Sequence, residues 1–304
     1  MSGILVIVGP TGIGKSDVAA ALAREIPAEI VAVDSMQVYR GMEIGTGKPP
    51  EEVRRQIPHH GIDLADPEEE FDATRYAGAV APVIEEIRRR GRWAVLTAGC
   101  GLYLRVLLRG ICPAPGKDPE VRARLLERGE REGSAALHAR LAEVDPSAAA
   151  RIHPNDLRRV VRALEVYEVT GRPMTDWHAE TPRPAWGDCR LVGLTCDREL
   201  LYGRIEERID SWLAGGWVEE ARSLARRRLS LTAREALGYR ELFDHFEGKA
   251  DWAAARALIH RNTRRYAKRQ LSWFRHEPGV EWICLDQPDP RLAARQILSR
   301  ARAA

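Results

Sequence analysis

The feature that most constrains the fold is a glycine-rich octapeptide near the amino terminus, between an apolar run and an alanine-rich run. Its residues are Gly9, Pro10, Thr11, Gly12, Ile13, Gly14, Lys15 and Ser16. They satisfy the pattern G-x-x-x-x-G-K-[ST], in which the glycines let successive backbone N–H groups converge on phosphate oxygens. We therefore predict a phosphate-binding loop between a strand and a helix, with Lys15 reaching a terminal phosphate and the Ser16 hydroxyl completing a Mg²⁺ shell.

Strand and helix patterns alternate on both sides of this loop. Residues 4–8, 30–33 and 93–97 are short, β-branched runs typical of buried parallel strands, and residues 17–25 and 79–90 have helical patterns. The alternation predicts an α/β fold: a P-loop NTPase-like parallel sheet with helices on both faces. The strand at 30–33 delivers Asp34 to the carboxyl edge of the sheet.

The pattern changes where Pro113, Pro115 and Pro119 interrupt the chain. Helical, charge-rich segments follow, until two further prolines precede a returning strand at 191–195. We predict a first part of the core at 1–112, an inserted all-helical domain at 113–187 and a second part of the core at 188–304. The second part is expected to hold helices at 199–225 and 252–275 and a last strand at 280–285.

Composition narrows the class of protein without identifying it. The 304 residues carry 47 basic and 44 acidic side chains, so the net charge of +3 selects no partner. The five cysteines contain no C-x-x-C pair, which fits neither a disulfide framework nor a zinc site. No signal peptide or membrane span is visible, and a cytoplasmic protein without a membrane partner is expected.

The loop alone leaves the reaction open, because kinases, GTPases and ATPases share it. Those enzymes usually carry a Mg²⁺-positioning carboxylate after a hydrophobic strand, whereas the strand at 93–97 continues into Ala98. The segment DSMQVYRGMEIGTGKP at 34–49 is more specific, because it resembles the signature of the tRNA dimethylallyltransferases, which isopentenylate adenosine 37 beside the anticodon. Further matches, in the order of that family, lie at 58–60 with Asp63, and at 101–104, 118–122, 151–156, 162–166, 238–239 and 267–270.

The resemblance implies that the loop holds the diphosphate of dimethylallyl diphosphate. It implies three catalytic residues, Asp34, Lys15 and Arg208, with Mg²⁺ as the cofactor. Asp34 would take a proton from N6 of adenine, while Lys15 and Arg208 would assist departure of the diphosphate. Arg204 lies one turn before Arg208 on the predicted helix, and both are expected to lean toward the loop.

The resemblance also implies that the partner is the anticodon stem-loop of tRNA, gripped in part by the inserted domain. The implied contacts are Asp34, Ser35, Met36, Gln37, Cys100, Arg122, Arg158, Arg159, Val160, Val161, Arg162, Thr263, Arg264, Arg265, Lys268, Arg269 and Gln270. A helical projection of residues 258–275 places six cations, including Arg261 and Arg275, on one arc with almost no interleaved acid, and places Tyr266 on the packing arc. Family members usually carry threonine where this chain has Cys100, which puts that contact in doubt.

Three alternatives remain open. An isopentenyltransferase acting on free AMP or ADP would use the same loop and aspartate, although such enzymes generally lack so large a basic helical insertion. A small-molecule P-loop kinase would need ATP, and a binding protein would show no turnover. The chain is expected to act as a monomer.

Overall fold

The computed structural model describes residues 3–110, 112–181, 186, 189–285 and 289–303. The chain divides into two compact units. The first unit is formed by Met1–Leu107 together with Ala185–Ala304, and the second is Leu108–Pro184. The second unit interrupts the first in sequence, as an insertion does.

One parallel sheet organises the first unit. Its strands in chain order are β1 (Ile4–Val8), β2 (Ala28–Val33), β3 (His59–His60), β4 (Trp93–Ala98), β5 (Cys189–Thr195) and β6 (Val280–Cys284). The sheet order is β3-β2-β4-β1-β5-β6, with every pairing parallel. The predicted α/β fold class is confirmed. β1 and β2 are buried along their full lengths, which explains the apolar runs at 4–8 and 30–33. The two-residue β3 was not predicted, because it is too short to carry a pattern.

Fifteen helices are present in the described part of the chain. They are α1 (Lys15–Glu25), α2 (Glu51–Gln56), α3 (Ala73–Arg89), α4 (Gly101–Arg109), α5 (Pro119–Glu132), α6 (Ser134–Val144), α7 (Pro146–Arg151), α8 (Leu157–Thr170), α9 (Met174–Ala179), α10 (Arg198–Trp212), α11 (Val218–Leu224), α12 (Leu231–Arg234), α13 (Tyr239–Phe246), α14 (Trp252–Arg275) and α15 (Pro290–Ala303). Aspartate caps begin several of them: Asp251, for example, accepts a hydrogen bond from the backbone N–H of Ala254 at the start of α14.

The second unit packs α5 to α9 around its own apolar core. Leu125, Leu137, Leu141 and Leu164 are almost completely buried there. Across the described residues of this unit, every regular element is a helix. An apolar core of its own is what a separate structural unit requires.

The helical stretch expected at 199–225 is divided into two helices. α10 ends at Trp212, the segment Leu213–Trp217 follows, and α11 begins at Val218. Within that segment Gly216 has φ 103, a left-handed conformation in which a side chain would collide with its own backbone. The pair of glycines therefore turns the chain between two helices that the hydrophobic pattern alone would join.

None of the described helices combines the length and apolar character needed to cross a lipid bilayer.

Candidate active site

The phosphate loop connects the carboxyl end of β1 to α1, as predicted. It borders a cleft of about 690 Å³. Among the groups that line this cleft are Lys15, Ser16, Asp34, Arg208 and Gln270. The fold thus brings all three predicted catalytic side chains to one cavity, together with the predicted Mg²⁺ ligand.

Lys15 points back onto its own loop. Its Nζ atom donates hydrogen bonds to the carbonyl oxygens of Gly9 and Pro10, both at 2.9 Å. Burial against the surrounding protein lowers the pKa of Lys15 to about 8, with the negative charge of Asp34 opposing that shift and Arg208 adding to it. The ammonium group of Lys15 is therefore bonded only to neutral carbonyl oxygens. A phosphate group in the loop would bind it more strongly, because hydrogen bonds between charged groups are stronger.

Asp34 follows β2 and turns its carboxyl group toward the cleft. Its Oδ1 atom accepts from the backbone N–H groups of Met36 at 2.8 Å and Gln37 at 3.3 Å. No donor among the described residues bonds Oδ2, which lies so close to Gly99 that a Cβ atom there would sit 2.9 Å away. Burial raises the pKa of Asp34, against the opposing effects of the two amides and of Lys15. One oxygen is anchored and the other is free to accept a proton.

Arg208 reaches the loop from α10. Its Nη2 atom donates to Oγ1 of Thr11 at 2.7 Å, and its guanidinium group stacks on the ring of Trp212 at 4.5 Å from the centroid. Burial lowers the pKa of Arg208 to about 10, partly offset by Asp17. Arg208 keeps its charge at neutral pH and still has a buried Nε–H without a partner in the described structure. Arg204 lines a neighbouring cavity, to which Gly12, Ile13 and Gly14 of the loop also contribute.

Gln270 makes a contact that the sequence did not reveal. Its Oε1 atom accepts from the backbone N–H of Thr11 at 2.8 Å, and its Nε2 atom donates to the carbonyl of Gly99 at 2.7 Å. The side chain is 5% exposed, so the expected direct RNA contact is not available to it in this conformation. The sequence did contain one indication that Gln270 is buried. It lies three residues after Ala267 and four before Phe274, a spacing that places it on the packing face of the helix.

A second cavity of about 290 Å³ adjoins the first one, and Asp34 lines both. Six residues line both cavities: Thr11, Asp34, Thr46, Arg208, Trp212 and Tyr266. Tyr266 was predicted to lie on the packing arc of its helix, but it contributes to the wall of the site. Two molecules, one in each cavity, could therefore meet beside the carboxyl group of Asp34.

The loop between β2 and α2 is fixed by buried polar groups. Gln37 donates from Nε2 to the carbonyl oxygens of Thr46 at 3.0 Å and Gly47 at 3.2 Å, which closes the loop on itself. The side chain of Lys48 is 1% exposed and binds the carboxylates of Glu43 and Asp63. Gln37 and Lys48, which line the first cavity, are thus held in place before any ligand arrives.

A carboxylate from α11 supports the same loop. Glu220 accepts hydrogen bonds from the backbone N–H groups of Glu43 and Ile44, at 3.0 and 2.9 Å. Tyr239 accepts from the N–H of Gly45 at 3.1 Å. The position of α11 after the Gly215–Gly216 turn therefore bears on the shape of the cavity wall.

The cationic arc of α14 is present with one correction. Its exposed members are Arg261, Arg265, Lys268, Arg269 and Arg275. Arg264 is half-buried and forms an ion pair with Glu206 of α10, so acidic compensation does exist and comes from a neighbouring helix. Thr263 is buried and donates to the carbonyl of Ile259, which leaves its hydroxyl group engaged within the helix.

The predicted contacts in the second unit divide into exposed and buried groups. Arg158 and Arg159 are exposed on α8. Val160 and Val161 are fully buried in the apolar core of the unit, so the expectation that their side chains meet RNA is corrected. The helical spacing of Leu157, Val160, Val161 and Leu164 places both valines on the apolar side of this helix, and they pack there.

Arg122 and Arg162 share one buried acid. Each donates from Nη1 to Oε2 of Glu165 at 3.0 Å, and Glu165 is 0% exposed. The other oxygen of Glu165 accepts from the N–H of Asp118 at 2.8 Å. The two arginines remain about one-quarter exposed, so each can still offer N–H groups to an anion.

The other residues expected to meet RNA lie around Asp34. Ser35 and Met36 line the second cavity, and Gln37 lines the first. Cys100 is half-buried in the turn after β4, where its backbone N–H donates to the carbonyl of Val33 at 3.2 Å. Burial raises the pKa of the Cys100 thiol, so it is protonated and unreactive at neutral pH.

The fold and the site together define a class: an α/β phosphate-loop protein whose free carboxyl oxygen stands between two joined cavities. The model of the IPP transferase family matches residues 37–277, and that of the isopentenyl transferases matches residues 2–57. The chain belongs to the IPP transferase family. Among curated relatives, the tRNA dimethylallyltransferase of Symbiobacterium thermophilum is 48% identical over 98% of this chain and 94% of its own length. That of Geobacter sulfurreducens is 46% identical over 92% of this chain and 91% of its own.

Solved structures agree with this assignment. The full-length tRNA isopentenylpyrophosphate transferase of Bacillus halodurans is similar with a TM-score of 0.73 and 37% identity, covering 99% of this chain and 96% of that one. A eukaryotic dimethylallyltransferase described as acting on tRNA gives a TM-score of 0.79 at 27% identity, covering 99% of this chain and 77% of that one. The similarity therefore extends over both units of the fold.

Proposed function

We propose that this chain transfers the dimethylallyl group from dimethylallyl diphosphate to N6 of an adenosine in the anticodon arm of tRNA, adenosine 37 by resemblance. The observation that carries the proposal is the free Oδ2 atom of Asp34 at the junction of two cavities, one of them bordered by the phosphate loop. A kinase can also use an aspartate to accept the proton of its acceptor hydroxyl group, so the similarity of the chain to prenyltransferases is what favours prenyl transfer over phosphoryl transfer.

The first cavity suits the donor. The diphosphate would occupy the loop, where the backbone N–H groups, Lys15 and Arg208 supply positive charge. When the C1–O bond of the donor breaks, both bonding electrons leave with the diphosphate. Charge therefore develops on the oxygen that these groups surround, and they stabilise the transition state more than the ground state.

The second cavity suits the acceptor. As the N6 lone pair forms its bond to C1, the nitrogen becomes cationic and one of its protons becomes acidic. Oδ2 of Asp34 receives that proton, while Oδ1 stays bonded to the amides of Met36 and Gln37. Adenine reaches this point only after leaving its stack in the RNA.

The residues at the loop also fit a bound Mg²⁺ ion, which takes oxygen ligands and usually keeps few protein ligands beside phosphate. The Ser16 hydroxyl lies in the cleft with Asp17, and no cluster of three or more metal-binding side chains is found among the described residues. Ser16 would hold the ion against the diphosphate. The bound ion would neutralise negative charge on the diphosphate leaving group.

Two cationic surfaces suit the RNA backbone. One is the exposed face of α14, formed by Arg261, Arg265, Lys268, Arg269 and Arg275. The other lies on the second unit and includes Arg158, Arg159, Arg122 and Arg162. Phosphate contacts from such surfaces position a nucleic acid without reading its sequence. Since every reacting group comes from one chain, we propose that it acts as a monomer, in the cytoplasm with its tRNA substrate.

The decisive experiment offers radiolabelled dimethylallyl diphosphate and Mg²⁺ to the protein with either an anticodon stem-loop or AMP. We expect label in the RNA, lost when the target adenosine is replaced by guanosine. Label in AMP alone would reassign the chain to a free-nucleotide isopentenyltransferase. No label in either, together with phosphoryl transfer from ATP to a small acceptor, would identify a kinase.

A further inference from the structure

Gln270 joins three segments that are far apart in sequence. Its amide accepts from the N–H of Thr11 in the phosphate loop and donates to the carbonyl of Gly99 in the turn after β4. The side chain itself belongs to α14, whose opposite face carries the exposed cations. A primary amide carries an acceptor oxygen and a donor nitrogen on one planar group, so this side chain satisfies an N–H and a carbonyl at the same time.

The first of these contacts acts on a residue that is held twice. Thr11 gives its backbone N–H to Gln270, and its hydroxyl oxygen accepts from Arg208. The N–H of Thr11 is therefore not available to a phosphate group in this conformation. Its bond to Gln270 instead fixes the path of the loop on one side, while Arg208 fixes it on the other.

The second contact acts on the neighbour of the proton acceptor. Gly99 lies against Oδ2 of Asp34, and its carbonyl oxygen is bound by Nε2 of Gln270. The backbone N–H of Gly99 in turn donates to the carbonyl of Val33, the residue before Asp34. A shift of the Gly99 turn would therefore alter the space around Oδ2.

We propose that Gln270 is a positioning residue that holds the phosphate loop and the Gly99 turn at a fixed separation, and so aligns the leaving group of the donor with Asp34. The inference rests on the proposed function for its consequence in catalysis, but its effect on anion binding does not. Alignment matters because reacting groups displaced by about 1 Å lose rate steeply. Gln270 touches neither reacting group in this arrangement.

The first test replaces Gln270 with methionine, which keeps the length of the side chain and removes both hydrogen bonds. The matched control is Gln56→Met on α2, where the glutamine side chain is exposed and has no hydrogen bond in the described structure. We expect Q270M to weaken binding of inorganic diphosphate with Mg²⁺, measured by calorimetry, about tenfold. We expect kcat for prenyl transfer to fall about 10- to 100-fold, with KM for the stem-loop changed less than threefold.

A second variant separates positioning from loss of folded protein. In Gln270→Glu, the carboxylate still accepts from Thr11, but it repels the carbonyl of Gly99 until it binds a proton and becomes a donor. The ratio of its kcat to that of the natural protein is therefore expected to rise as pH falls from 8 to 6. A merely destabilised protein would show a flat ratio once the rates are normalised to folded protein.

The outcomes distinguish the two proposals. If the natural protein transfers no prenyl group to RNA, the proposed function fails, and diphosphate binding by Q270M still decides the role of Gln270. If Q270M matches the natural protein in both diphosphate affinity and kcat, the positioning role is overturned. A large rise in KM for the stem-loop alone would instead assign Gln270 to RNA contact and also overturn the inference.

Discussion

Burial acts in opposite ways on two ionisable groups that line the cleft, Asp34 and Lys15. It raises the pKa of Asp34 and lowers the pKa of Lys15, because it disfavours whichever form is charged. Both must nevertheless be charged to act as proposed, Asp34 as a proton acceptor and Lys15 as a partner of the diphosphate. The chemistry therefore requires a pH above the pKa of one group and below that of the other.

The first prediction concerns this pH window. We expect kcat/KM for the donor to fall on the alkaline side with a midpoint near the Lys15 pKa of about 8, because the lysine loses its charge there. On the acid side it falls as Asp34 becomes protonated. A bound diphosphate favours the ammonium form, so the alkaline limb of kcat should lie at higher pH. Lys15→Arg should remove the alkaline limb, and its persistence in that variant would contradict the assignment.

The second prediction concerns the carboxyl group itself. Asp34→Asn keeps an acceptor for the amides of Met36 and Gln37 but cannot take the proton from N6. We expect kcat to fall about 10²- to 10⁴-fold in labelled-donor assays, with the stem-loop affinity changed little. The control is Asp66→Asn, an exposed carboxylate paired with Arg40. Full turnover by D34N would remove Asp34 from the mechanism.

At the scale of elements, the site depends on how α10 and α11 are joined. α10 carries Arg208, and α11 carries Glu220, which supports the loop at 43–45. The turn between these helices is made by Gly215 and Gly216, of which Gly216 has φ 103. The backbone conformation of Gly216 thus affects both the position of Arg208 and the support that Glu220 gives to the loop at 43–45.

The third prediction tests that turn with adjacent substitutions. Gly216→Ala should lower the free energy of unfolding by about 1–2 kcal/mol, because an L-residue is strained at this φ. Gly215→Ala serves as the control, since Gly215 has φ −94 and its Cβ would meet open space. It should change stability by less than about 0.5 kcal/mol. Denaturant unfolding measures both, and equal effects would show that the backbone angle is not the cause.

The fourth prediction belongs to α8. Glu165→Ala removes the buried partner of Arg122, Arg162 and the N–H of Asp118, and should destabilise the second unit by about 3 kcal/mol. Glu168 also lies on α8, and Glu168→Ala removes the surface partner of Arg124 of α5. This change should lower the free energy of unfolding by less than about 1 kcal/mol. Hydrogen exchange of α5 and α8 reports the difference. Similar protection in the two variants would contradict a special role for Glu165.

At the scale of the whole molecule, association with RNA would depend on cations distributed over both units. The net charge of +3 does not reveal these cations, because the 44 acidic side chains nearly cancel the 47 basic ones. Only the positions of the ion pairs show which cations remain free to meet phosphate. Arg256, for example, is engaged with Asp210, whereas Arg265 and Lys268 have no ion-pair partner among the residues described.

The fifth prediction uses that distinction. Neutralising Arg265 and Lys268 together should weaken stem-loop binding and reduce the slope of log K against log salt by about one for each lost phosphate contact. Arg256→Gln on the same helix should leave the slope nearly unchanged. Fluorescence anisotropy over a range of salt concentrations gives the slopes. The same reduction in both variants would mean that the face of α14 is not the contact surface.

The sequence by itself determined the parallel α/β core, the phosphate loop, the carboxyl end of β2 as the place of Asp34 and the helical character of the insertion. These features depend on local patterns: apolar runs, glycine spacing and proline breaks within a few residues of one another. The amphipathic pattern of α14 likewise gave its exposed cations, because helical periodicity alone decides which side chains share a face.

Only the tertiary structure decided which of those side chains were free. The pairing of Arg264 with Glu206 and the bonds of Gln270 to Thr11 and Gly99 join residues far apart in the chain. Local periodicity assigns a residue to a face of its helix, but it does not say what that face meets. Hydrogen bonds and ion pairs between distant segments exist only once the chain has folded, and for that reason the site had to be read from the structure.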